Sequence, residues 1–172
     1  MNGQQKRQPL KFPPRAESLA RLRALYNRIA IAPTSAATQE LAASKIGDVM
    51  KDGSIFAGIS PDTGKQMFAM PTDLGLTITF SEAAQYAKKL NSDKALGHDD
   101  WRVPTRAELN VLFLNREEGA LEGTFNVTGS IAAVCYWSSK LSSGGSVWIQ
   151  RFSDGLKDYF FKTNAATVRC VR

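Results

Sequence analysis

The sequence predicts an α+β domain with helices on one side of an antiparallel sheet, and three observations lead to that prediction. Two short apolar runs flank a Pro-Asp-Thr-Gly turn at residues 61–64, which indicates a β-hairpin. Two helix starts of the form Thr-x-x-Glu follow the hairpin. Residues 134–171 then contain several short β-branched and aromatic runs, which are typical of a β-meander.

The predicted hairpin pairs residues 54–60 with residues 65–70, two runs in which apolar side chains predominate. Pro61 fixes φ at the start of the connecting turn. Gly64 suits the turn position at which φ is positive, because it has no Cβ. The turn chemistry and the flanking runs therefore predict the same structure.

The two predicted helices begin with capping boxes at residues 79–82 and 105–108. In each box the Thr side chain and the Glu three residues later can satisfy backbone N–H groups that the first helical turn leaves unpaired. We expect the first helix to end near Asn91. The second should run from Arg106 to about Asn115.

Four strands are predicted after the helices. The Asp154-Gly155 pair suits the tight connection between the second and third of these strands. A meander of this kind would close the domain. The predicted strands are residues 134–138, 147–152, 156–161 and 167–171.

The charge of the chain is unevenly distributed. The 172 residues carry a formal net charge of +6, and residues 1–30 contain seven Lys and Arg side chains against one Glu. Residues 31–172 are therefore neutral, with fifteen basic and fifteen acidic side chains. We therefore do not expect a broad phosphate-binding face on residues 31–172. Any contact with a polyanion would be made by residues 1–30.

We predict two parts, a basic N-terminal arm with a linker at residues 1–44 and a domain at residues 45–172. Residues 15–31 are expected to form an amphipathic helix with one apolar stripe. This helix could pack on its own domain, form a homo-oligomer or another assembly contact, bind a polyanion or membrane surface, or act as a targeting segment. The stripe comprises Leu19, Leu22, Leu25, Tyr26 and Ile29.

Few residues are available for metal, redox or nucleophilic chemistry. The chain has two cysteines, Cys135 and Cys170, which we expect to be buried thiols, and the single histidine His98. We therefore expect no cofactor and no metal site. Neither a transmembrane segment nor a secretory signal is evident, so the expected location is cytoplasmic or within a virion.

Four strings of the C-terminal part match a known family in order. They are WRVPTRAEL at residues 101–109, CYWSS at 135–139, VWIQRFSDG at 147–155 and VRCVR at 168–172. As a set they resemble the Lcl C-terminal domain, a bacterial and phage family, over about residues 48–172. The resemblance implies a C-type-lectin-like fold, related to that of formylglycine-generating enzymes. In this fold two helices pack on a twisted antiparallel sheet and the two ends of the domain meet.

The resemblance also implies a function. Members of the family are mostly binding modules, including adhesin tips, phage tail proteins and targets of diversity-generating retroelements. We therefore predict a non-enzymatic module that recognises a protein or glycan, within a phage particle, an adhesin or another multi-subunit assembly. One alternative is an enzyme of the formylglycine-generating type. Another is a structural or nucleic-acid-associated subunit that acts through the basic arm.

The resemblance places the recognition surface on the last hairpins and on the loop that follows the YWSS-like strand. Trp101, Trp137 and Trp148 are expected to be buried supports beneath this surface. The candidate ligand-binding residues implied are Lys140, Ser142, Ser143, Ile149, Arg151, Asp158, Tyr159 and Lys162.

Two departures from related patterns qualify these expectations. Gln150 stands where the family usually has an apolar residue, so it needs a buried partner or a different strand register. The calcium and sugar motifs of true C-type lectins are absent. Oxygen donors at Asp154, Asp158 and Asn164 could serve a calcium ion, although turn chemistry explains the Asp154-Gly155 pair better.

Overall fold

A computed structural model describes residues 44–142 and 144–172 of the chain. These residues form a mixed α/β structure with three α-helices and two antiparallel sheets, whereas one sheet was expected. The helices are α1 (Phe80–Ser92), α2 (Arg106–Leu114) and α3 (Ile131–Val134). The strands are β1 (Ile55–Ile59), β2 (Gln66–Ala69), β3 (Cys135–Leu141), β4 (Val147–Arg151) and β5 (Lys157–Phe160).

The first hairpin is confirmed, with β1 antiparallel to β2 in a two-stranded sheet. The amide of Ser60 donates to the carbonyl of Lys65 at 2.8 Å and so closes the turn. Gly64 adopts φ of +67°, as the turn chemistry predicted. A β-bulge between Phe56 and Gly58 shifts the register within the pair.

Both predicted capping boxes are present at the helix starts. The Glu82 carboxylate accepts from the amide of Thr79 at 2.8 Å, and that of Glu108 accepts from the amide of Thr105 at 2.9 Å. Helices α1 and α2 therefore begin where the sequence predicted, because these contacts involve only neighbouring residues.

The second sheet has the strand order β3-β4-β5, with both pairs antiparallel. The tight connection between β4 and β5 is confirmed, and Gly155 there has φ of +83°. A Cβ atom at this position would lie 2.6 Å from the ring of Phe113, so the turn requires glycine for conformation and for space. Strand β3 is longer than expected and extends to Leu141.

The predicted last strand is not continuous. Its residues instead pair with three separate parts of the structure through isolated bridges: Thr167 with Tyr136 of β3, and Val171 with both Ala69 of β2 and Arg102. The C-terminal segment, residues 166–172, therefore links the two sheets. The last β-segment thus meets the first hairpin at its second strand, β2.

Two hydrophobic clusters lie on opposite faces of the three-stranded sheet. Helix α1 packs through Ala83 and Ala87 into the cluster that contains Trp137 of β3. Helix α2 packs through Leu109 into the other cluster, which contains Tyr136, the neighbour of Trp137 in the strand. Since successive side chains of a strand point to opposite faces, the two helices cover the two faces rather than one side as predicted.

A buried ion pair lies beneath the C-terminal segment. Arg169 is fully buried, and its Nε lies 2.6 Å from the carboxylate of Asp73. The Tyr136 hydroxyl donates to the same carboxylate at 2.6 Å, and the guanidinium of Arg169 stacks 4.2 Å from the ring centroid of Phe125. The charges are therefore paired and hydrogen-bonded, as burial requires.

A second polar cluster holds the last residue, and the sequence did not indicate it. Arg172 donates to the Asp52 carboxylate at 2.8 Å, and Nε2 of His98 lies 2.6 Å from the same oxygen. Burial alone would raise the pKa of Asp52, but hydrogen bonds from Ser54 and His98 and the charge of Arg172 lower it to about 2.

The two cysteines are buried free thiols, as expected. The predicted arm helix at residues 15–31 lies outside the described residues, and the boundary between residues 44 and 45 stays a prediction. Within the described ranges, no helix combines the length and the apolar character that crossing a bilayer requires.

We predict that Arg169→Leu destabilises the domain by about 3–5 kcal/mol, because the variant leaves the Asp73 carboxylate buried without its cation. Urea unfolding followed by circular dichroism measures the loss. Arg151→Leu is the matched control, since it removes an exposed ion pair with Asp154 and should change stability little. Equal losses in the two variants would contradict the prediction.

Candidate functional site

Trp148 of β4 is the aromatic side chain at the centre of the candidate site. It is half-buried, which corrects the expectation that all three tryptophans are buried supports. The guanidinium of Arg106 lies 3.9 Å from the centroid of the indole ring. Tyr159, opposite Trp148 on β5, packs edge-on at 6.0 Å and is 57% exposed. The indole is thus held between a cation and a second aromatic ring.

The start of helix α2 explains why Trp148 is accessible. Two residues further along the same face of β4, Gln150 is covered by the helix and donates to the side-chain oxygen of Asn110 at 3.2 Å. The buried partner expected for Gln150 is therefore found. Helix α2 begins at Arg106, and the side chain of Arg106 lies over the Trp148 ring.

A cavity of about 630 Å³ adjoins Trp148, and we call it the Trp148 groove. It lies between the first hairpin turn, the start of α2 and strands β3 to β5. Three cationic side chains and one carboxylate are among the described residues that line it. These charged residues are Arg106, Lys140, Lys157 and Asp62.

A second cavity of about 490 Å³ lies between α1 and residues 101–105, and we call it the Phe80 pocket. Its walls are largely apolar. Three residues line both cavities, so the Phe80 pocket and the Trp148 groove adjoin. The shared residues are Asp62, Thr105 and Ser139. The apolar walls are Phe80, Ala84, Ala87, Trp101 and Val103.

A buried glutamate fixes the wall between the two cavities. Glu108 is fully buried and receives two hydrogen bonds from the guanidinium of Arg102, at 2.5 and 2.7 Å. The Ser60 hydroxyl donates to it at 2.6 Å. Burial alone would raise the pKa of Glu108, but these hydrogen bonds, the amide of Thr105 and the charge of Arg102 lower it to about 2. The first hairpin is thereby tied to the start of α2.

Two of the predicted ligand-binding residues lie at the Trp148 groove. Lys140 lines it, although from the end of strand β3 rather than from a loop. Tyr159 lies at its edge against Trp148. Ser142 is half-buried beyond the strand, and Ser143 lies outside the described residues.

The other predicted residues do not join this site. Ile149 is 3% exposed and packs in the same cluster as α1, on the face of β4 opposite Trp148, so it does not reach the groove. Arg151 pairs with Asp154. Asp158 is exposed opposite Ile149, on the face away from Trp148, and Lys162 is exposed after β5.

The groove is also lined by Arg106, Trp148 and Lys157, to which no sequence pattern assigned a binding role. The turn at Asp154-Gly155 carried part of the required information. Strands joined by that turn place Trp148 opposite Tyr159, so their pairing follows from register. The contact of Arg106 with Trp148 depends on how α2 packs on the sheet, which no local pattern specifies.

Metal-ligating groups are sparse in the part of the chain that the structure describes. There, no three His, Cys, Asp or Glu side chains lie close enough together to hold a metal ion. The carboxylate of Asp154, one of the calcium donors considered, accepts hydrogen bonds from Arg151 and from the amide of Leu156. These hydrogen bonds lower the pKa of Asp154 to about 2. Turn and ion-pair chemistry therefore accounts for Asp154.

The comparisons with known proteins identify the family. The model of the Lcl C-terminal domain matches residues 61–172, which is more than half of the chain. The chain therefore belongs to the Lcl C-terminal domain family, as the resemblance indicated. A search of curated proteins gives no match.

We predict that Glu108 makes the domain sensitive to acid. Its folded-state pKa of about 2 lies below the ordinary 4.5, so its contribution to stability is complete above about pH 4.5 and is lost as the pH falls towards 2. Between pH 7 and pH 2 the stability difference between wild type and Glu108→Gln should therefore shrink by about 3 kcal/mol. Urea unfolding across this pH range measures it, and parallel stability curves would contradict the prediction.

Proposed function

We propose that this member of the Lcl C-terminal domain family is a non-enzymatic recognition module that binds a protein or glycan ligand at the Trp148 groove. It would act within a phage particle, an adhesin or another multi-subunit assembly. The proposal includes a C-type-lectin-like fold, which the mixed α/β architecture and the meeting of the domain ends support.

The observation that carries the proposal is the accessible, preorganised indole of Trp148. Arg106 and Tyr159 fix the ring on two sides, so little side-chain freedom would be lost when a ligand packs on it. Tryptophan, tyrosine and arginine are also the residues that contribute most to binding at protein interfaces. Stacking of a planar or apolar ligand group on this set would provide affinity without a chemical step.

The environment of the cysteines favours this proposal over an enzyme of the formylglycine-generating type. Burial raises the pKa of Cys135 to about 11 and that of Cys170 to about 12. Both groups are therefore protonated thiols at neutral pH, whereas the reactive form of cysteine is the thiolate. Each is also almost inaccessible, with 2% and 1% exposure.

A second candidate function concerns the N-terminal arm. Residues 1–30 carry the whole positive excess of the chain. This charge supports a structural or nucleic-acid-associated role, or assembly through residues 15–31. Deletion of residues 1–44 would then abolish salt-sensitive polyanion binding or oligomerisation, while circular dichroism of the remaining domain stays unchanged. Unchanged binding and assembly would refute this role.

We predict that Trp148→Ala weakens ligand binding at least about tenfold, because it removes the stacking surface. Ligands are first identified by incubating the full chain with a glycan array and with a random-peptide display library. Affinities of wild type and variant are then measured by biolayer interferometry.

Phe161→Ala is the matched control for this prediction, because Phe161 is a 71% exposed aromatic residue that lines neither cavity. It should leave affinity unchanged. A ligand that binds wild type and Trp148→Ala equally well would show that the Trp148 groove is not the recognition site.

A further inference from the structure

We propose that the Trp148 groove and the Phe80 pocket together bind one extended peptide segment, in which an apolar side chain is followed or preceded by acidic residues. The inference rests on the proposed recognition function and specifies its partner. Two observations lead to it. The two cavities share Asp62, Thr105 and Ser139, and the Trp148 groove has three cationic side chains in its lining whereas the walls of the Phe80 pocket are largely apolar.

The Trp148 groove has positive charge that the domain does not neutralise. Arg106, Lys140 and Lys157 make no ion pair with any residue in the described ranges. The one carboxylate in the lining, that of Asp62, accepts a hydrogen bond from the Thr105 hydroxyl and offsets only part of this charge, so the lining stays net positive. A ligand with carboxylates would therefore find complementary charge around the indole of Trp148.

The Phe80 pocket has mostly apolar walls, and most of its polar groups already have partners. Among the residues that line it, the exposed Lys88 makes no ion pair within the described ranges. The amide of Trp101 donates to the side-chain oxygen of Asn91 at 2.7 Å, and the side-chain nitrogen of Asn91 donates to the carbonyl of Trp101 at 2.9 Å. The Trp101 indole donates to the carbonyl of Ala95, and Arg102 donates to Glu108. What remains for a ligand is the apolar surface of Phe80 and the alanines of α1, together with the ammonium group of Lys88.

This combination favours a peptide over a glycan. A sugar ring placed in the Phe80 pocket would lose water from its hydroxyls and find few free partners there, which costs binding energy. A Leu, Ile, Phe or Met side chain gains from the same burial. An acidic peptide with one such residue matches both halves, since its extended backbone would cross the junction at Thr105 and Ser139.

The test selects ligands from a random dodecapeptide display library with the full chain as bait. Peptides that also bind a Lys140→Glu, Lys157→Glu double variant are removed first, so that acidic peptides held by the N-terminal arm do not dominate. We expect the enriched peptides to combine Asp or Glu residues with a nearby large apolar residue.

Synthetic versions of the enriched peptides are then measured by fluorescence anisotropy. The double variant should bind at least about tenfold more weakly, with an affinity loss that declines at high salt. Ala84→Glu, an exposed helix position in the Phe80 pocket, should weaken binding by a similar factor through charge and steric conflict. Phe161→Ala should change nothing.

The outcomes separate this inference from the function on which it rests. Neutral peptides, or glycans, that need Trp148 but not the two lysines or Ala84 would overturn the acidic-peptide proposal and leave the recognition function standing. Enriched acidic peptides that bind equally well to Trp148→Ala would overturn both. Failure to enrich any peptide would overturn the acidic-peptide proposal.

Discussion

The pairing of the C-terminal segment with both sheets is the constraint on which the structure depends. Phe68 of β2 and Arg172 exchange two backbone hydrogen bonds of 3.0 and 2.9 Å, and the amide of Trp137 in β3 donates to Thr167 at 3.0 Å. Between these ends, Arg169 is buried with Asp73. Within the described ranges, backbone bridges of this segment reach both sheets, so the last residues help to position the first hairpin against the meander.

The position of the hairpin in turn shapes the Trp148 groove. Its turn supplies Asp62 to both cavities, and Ser60 beside the turn bonds Glu108 of α2. The start of α2 is thereby fixed, and Arg106 is held over Trp148. Three separate chain segments form this groove, so it is rigid only when contacts hold each segment against the others. Such rigidity lowers the free energy that ligand binding would otherwise spend on reorganisation.

Local chemistry was predictable from the sequence, and packing was not. The capping boxes at residues 79–82 and 105–108 and the turn at Gly64 involve neighbouring residues, so their patterns determine them. Because α1 and α2 lie on opposite faces of the sheet, Ile149 is buried and Trp148 is half-buried. Period-two alternation places these two side chains on opposite faces, but it does not indicate which face is more exposed. The cluster of Asp52 with His98 joins residues far apart in sequence, so composition gave no indication of it.

Native-state hydrogen exchange of the free protein tests most directly whether the C-terminal segment holds the groove in a preformed state. The informative amides are those of Trp137, Ser139 and Val171, which donate to Thr167, Pro104 and Arg102. We expect all three amides to exchange only through global unfolding, with the same free energy as urea denaturation. Faster exchange at Ser139 through local opening would contradict it, because the groove wall would then form only when a ligand binds.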